Sequence, residues 1–188
     1  MNVRPPILVI TSLLGSWLGM QAVHELGHVF GAIVSGGHVA CVVLHPLTIS
    51  RTDVSENPHP LLVVWAGPLL GSIIPLGLWA TAIWLRLSEA FLARFFAGFC
   101  LIANGLYIGA GSLDRVGDCG EMLKHGSPIW VLWLFGAIAT PLGLLLWHRQ
   151  GSHFGWGSGH REIRRGSLIV SVSTCLALIL LGLIVGEC

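Results

Sequence analysis

The chain has 188 residues, 54% of them hydrophobic and only 10% charged, with a formal net charge of +1. A soluble domain carries about a quarter charged residues, so this composition argues against a soluble globule and for a polytopic helical membrane protein. The small net charge gives no sign of a nucleic-acid partner, and five cysteines without a CxxC spacing argue against a disulfide framework.

The first apolar stretch covers about residues 7–34 and is broken only by His24, Glu25 and His28. Its start, one arginine followed by an apolar run, has the outline of a signal peptide. No small-x-small cleavage site follows, and the helical pattern runs on through His28, so it reads as a retained first span. Ser35-Gly36-Gly37 ends it. Residues 38–54 are rich in Val, Ile and Thr and long enough for two short strands with His45-Pro46 at the turn, which predicts a membrane-associated β-region, placed at 38–50. Residues 55–60 form a loop. Spans follow at 61–85 and 90–112, joined by a short turn at 86–90. Residues 113–128 hold a short polar helix candidate. A fourth span is expected at 129–147, a Gly-rich loop at 148–166 and a fifth span at 168–186. Each span is near the roughly 20 apolar residues that a bilayer requires. The expected fold is a single, all-α polytopic domain over 1–188 with about five transmembrane helices. Its strands must lie at the interface or be covered by protein, because lipid cannot satisfy an open sheet edge.

Ionisable residues at bilayer depth are costly and mark function. His28 stands four positions after His24, so on a helix they share a face one turn apart and can present two imidazole nitrogens to one Zn²⁺. Glu25 flanks that face, within reach of a water on the metal, where a carboxylate can act as general base. A catalytic zinc site takes three protein ligands and keeps one position open. The third ligand must come from elsewhere, and Asp114, Asp118, Cys119 and Glu121 are the candidates after the third span. Spacing does not choose among them.

The segment "HELGH" in an apolar first span resembles the site-2 protease family of intramembrane zinc metalloproteases. "WAGPLLGS" (65–72) is similar to that family's AGPxxN stretch, with Gly71 where Asn is common. "NGLYIGAGSLDRVGDCGEML" (104–123) is similar to its Asn-x-x-Pro…Asp-Gly segment, with Asn104 in place, Tyr107 where Pro is usual and a longer gap to the Asp. The family's aspartate is followed by small and then apolar residues. Cys119, Gly120, Met122 and Leu123 fit that pattern after Asp118 better than the residues after Asp114 do. The resemblance therefore implies Zn²⁺ held by His24, His28 and Asp118, and Glu25 as the catalytic base. It further implies that Asn104 polarises the substrate carbonyl or supports the site. The implied activity is hydrolysis of a peptide bond in or near the span of a membrane protein. The β-region would offer an edge to the unwound substrate, and Gly67-Pro68 is a place for the second span to deform. The alternative is a non-catalytic metal-binding membrane protein, a transporter or a degenerate protease. Glu25 argues against transport, which needs ligands but no base.

His148, His153 and His160 share the Gly-rich loop with arginines and read as solvated; His38, His45 and His59 receive no role. With five spans, Arg4, Arg86, Arg94, Arg149, Arg161, Arg164 and Arg165 fall on the N-terminal side and Arg51, Arg115 and Lys124 on the other. The positive-inside rule then places the site toward the outer face, whereas the resemblance implies a site open to the cytosol. The sequence does not choose between them, nor does it fix an oligomeric state.

Overall fold

The computed structural model describes residues 3–156 and 162–185. Six helices and one hairpin follow in chain order: α1 (Arg4–Ser35), β1 (His38–Val43), β2 (Arg51–Glu56), α2 (Pro60–Trp84), α3 (Ala90–Gly109), α4 (Asp118–Lys124), α5 (Ile129–Trp147) and α6 (Arg165–Val185), with short 3-10 turns at Gly111–Leu113 and Gly151–Phe154. Five of the helices are long and apolar enough to cross a bilayer. Their outer faces are covered with exposed large apolar side chains, among them Phe30, Trp84, Leu145 and Ile184. Such a belt suits lipid and would be a liability in water.

Without a hydrophobic driving force in lipid, spans associate through small residues that let backbones approach. The α3–α5 contact follows this rule: a Cβ on Gly136 would stand 2.7 Å from the Gly109 Cα and 2.8 Å from the Gly105 carbonyl oxygen. Polar satellites bind the ends. Thr11 Oγ1 lies 2.7 Å from Ser171 Oγ, joining α1 to α6, and Arg4 pairs with Glu162 at 3.2 Å, tying the start of α1 to the loop before α6.

The expected spans fall where the helices are, with ends shifted by up to three residues; residue 186 lies outside the described residues. The β-region is longer than expected. It is a two-stranded antiparallel sheet in which Val42 faces Thr52 and Val43 faces Arg51, with irregular pairing between His38 and Cys41. β2 begins just where the predicted region of 38–50 stops. Its sequence, RTDVSE, has no apolar run to announce it; pairing with the apolar β1 holds it in place. Cys41 on β1 is disulfide-bonded, whereas Cys100, Cys119 and Cys175 are free and buried. The far end of α6 rests on this hairpin, for a Cβ on Gly182 would approach the Leu44 carbonyl oxygen to 2.6 Å.

Candidate metal centre

Four residues of α1 lie on one stripe of the helix: Gln21, His24, Glu25 and His28, all buried although polar. They line a cavity of about 850 Å³ whose other walls come from β2, the start of α2, the last turns of α3, and α4.

Each histidine is oriented from behind. His24 Nδ1 lies 2.7 Å from Asn104 Oδ1, and Asn104 Nδ2 donates to the Cys100 carbonyl at 2.9 Å. That second bond fixes which end of the amide faces His24, so the ring must donate from Nδ1. His28 Nδ1 donates to the Val63 carbonyl at 2.9 Å. Gly67 lets α2 come this close, since a Cβ there would collide with the His28 ring. Both rings, held as Nδ1–H tautomers when neutral, present bare Nε2 atoms to each other at 3.0 Å.

The third group reaches this point from α4. Asp118 Oδ2 is 2.8 Å from His24 Nε2 and 3.3 Å from His28 Nε2. A tight turn delivers it. Gly117 takes φ +61°, and a side chain there would strike the Tyr107 hydroxyl. That hydroxyl accepts the Asp118 backbone N–H at 3.0 Å, while the Tyr107 ring packs edge-on against His24. Burial by itself would push the Asp118 carboxyl pKa up. When the rings also carry a proton on Nε2, hydrogen bonds from His24 and His28 and their charge instead hold it well below the usual carboxylate range.

Three lone-pair atoms thus converge, and only a cation, either a proton or a metal ion, can hold them together. Tetrahedral zinc with bonds of about 2.0–2.1 Å needs neighbouring ligand atoms roughly 3.3 Å apart, against the 2.8–3.3 Å found here. The donor set fits a divalent metal with two imidazoles and one carboxylate. Among the described residues, His24, His28 and Asp118 form the group of His, Cys, Asp and Glu side chains able to hold one.

The rival third ligands are engaged elsewhere. Cys119 is buried, its thiol pushed up to about 11 by that burial, and it donates to the Tyr107 carbonyl at 3.1 Å. Glu121 pairs with Lys124 and His125. Asp114 is exposed, at the end of the 3-10 turn, and outside the cluster. Glu25 is 3% exposed and accepts a hydrogen bond from Thr52 Oγ1 on β2 at 2.8 Å, so the hairpin touches the expected base directly. Asn104 is 1% exposed with both amide ends bonded inside the protein, which puts it behind the site. Thr52, Val63 and Tyr107 have no spacing signature, and their parts are legible only in the fold. Of the loop histidines, His153 stacks on Phe91 at 4.8 Å, and His160 lies outside the described residues. In comparisons with protein-family models, with curated proteins and with solved structures, nothing matches this chain.

Proposed function

We propose that the protein is an integral membrane zinc endopeptidase that hydrolyses a peptide bond in or near the span of a substrate protein. One observation carries this reading: buried His24 and His28 and half-buried Asp118 form a ligand set that shares a cavity with the carboxylate of Glu25, in a bundle whose long helices are apolar enough to cross a bilayer. Transport or storage of a metal needs the ligands but has no use for the carboxylate. The likeness of "HELGH" and of the segment ending at Asp118 to the site-2 protease family points the same way.

Zinc, when bound, supplies Lewis acidity toward water and a peptide carbonyl. The chain does the rest. Glu25 takes a proton from water and returns it to the leaving amine, with Thr52 holding one carboxylate oxygen. Asn104 and the Val63 carbonyl keep both Nε2 atoms aimed at the metal, a supporting role that tunes metal sites strongly. Tyr107 and Gly117 seat the backbone at Asp118. The substrate span must unwind to bring a peptide bond to this point. The edge of β2, which lines the cavity from Arg51 to Val54, offers backbone pairing to the unwound segment.

The test is Glu25→Gln in purified, reconstituted protein with a single-span substrate. Cleavage should fall roughly a hundred- to ten-thousandfold while about one zinc per chain stays bound, since the base goes and the ligands remain. Equal cleavage by Glu25→Gln removes the mechanism. Bound zinc with no cleavage of any span by the native chain leaves the metal-binding alternative.

A further inference from the structure

Gln21 lies one turn ahead of His24 and Glu25 on the stripe of α1 that faces the cavity. It is 6% exposed, and neither Nε2 nor Oε1 of its amide has a hydrogen-bond partner. A buried amide with both ends unmet is rare, because each group loses its water without gaining a partner. The other amide of the site is in the opposite condition: both ends of Asn104 are taken by His24 and Cys100. Asn104 thus has neither amide end free for a substrate, whereas Gln21 has both.

We infer that Gln21 binds the substrate backbone beside the scissile bond. A carboxamide offers one donor and one acceptor, the complement of a peptide unit. Nε2–H donates to a substrate carbonyl and Oε1 accepts a substrate N–H, both of which lose their helical partners when the span unwinds. The contact reads no side chain, so it recognises an unwound backbone and leaves sequence preference to the other walls. This inference rests on the protease reading and names the feature of the substrate that the site takes.

The variant to make is Gln21→Leu, of similar length and suited to a membrane helix. Replacing a polar group that has no partner by an apolar one should leave the fold and zinc content intact and the thermal midpoint equal or higher. Binding of a single-span protein with a Gly-Pro pair in its span, measured in the Glu25→Gln background where it is not cut, should weaken roughly ten- to a hundredfold, the size of one or two lost hydrogen bonds. In the active background kcat/KM should fall by the same factor, carried by KM. Unchanged binding and unchanged kcat/KM would overturn the inference and leave Gln21 a water-bridged residue of the bundle. Loss of zinc or of folding in both Gln21→Leu and Gln21→Met would also overturn it, by making the residue structural. If the native chain cuts no span, the protease reading fails by itself, and the binding comparison still judges Gln21.

Discussion

Asn104 has no free hydrogen-bonding end, and the His24 ring depends on one of its bonds. Asn104→Leu keeps an apolar helix but leaves the buried Nδ1–H of His24 without an acceptor, freeing the ring to turn or change tautomer. Zinc affinity measured by chelator competition should drop roughly 10–100-fold, the usual cost of losing such a partner. Asn104→Asp, which keeps the acceptor, should retain most of the affinity. A metal-binding loss no larger in Asn104→Leu than in Asn104→Asp would sever the link. At this scale the sequence is informative in one place. His24, Glu25 and His28 are legible because a helix turns their spacing into a common face. Asp118 is legible only through likeness to a known segment, since the bond that brings it to His24 spans 94 positions. Thr52, Val63 and Gln21 are ordinary residues whose parts depend on what the tertiary fold sets opposite them.

Among the elements, α2 is the one whose backbone the site cannot do without. It contributes no ligand, yet Gly67 makes room for the His28 ring and the Val63 carbonyl accepts the ring's Nδ1–H hydrogen bond. Gly67→Ala should displace His28, because the atoms in the way are the ring itself and it has no free space in a packed core. The expected result is loss of zinc and cleavage together, with a destabilisation of about 1–3 kcal/mol seen as a lower thermal midpoint. A variant that binds zinc normally would show that α2 can retreat. The elements also mark where sequence reading stops. Hydropathy over twenty residues finds the spans because the bilayer sets both length and composition. The hairpin is read from its β-branched residues and turn, which predict two strands within 38–54. What the reading misses is where the second one lies, Arg51–Glu56, because a polar strand on the rim has no pattern of its own and pairing with β1 sets its bounds.

For the whole molecule, the two ends of the bundle differ in charge and in sulfur chemistry. The turn between α2 and α3 carries Arg86, the loop between α5 and α6 carries Arg149, Arg161 and Arg164 with Arg165 at the first position of α6, and Arg4 joins them through Glu162. The opposite end holds the hairpin with its disulfide-bonded Cys41. Arginine-rich loops stay in the cytoplasm, and disulfides persist in oxidising compartments. Together these two arguments predict that the hairpin and the mouth of the cavity face the non-cytoplasmic side. A membrane-impermeant maleimide applied to intact cells should label Thr48→Cys in the hairpin turn above the background of the native chain. Ser88→Cys in the α2–α3 turn should react only after lysis, and the reverse pattern would invert the molecule.

The meeting of α1 and α4 has a mechanical side as well. A metal shared by His24, His28 and Asp118 would be a removable cross-link that closes the chain from the first span to the segment after the third. Because α4 has only seven residues, far too few to be stable alone, its place depends on Asp118, Tyr107 and the burial of Cys119 and Met122. Chelation would therefore do more than silence chemistry. It should lower the thermal midpoint in proportion to the logarithm of the free zinc removed. It should also raise amide exchange in 111–128 well before the α3–α5 pair responds, since those helices are held by their own glycine contacts. Uniform loosening across the bundle, or none, would show that α4 keeps its seat without the ion.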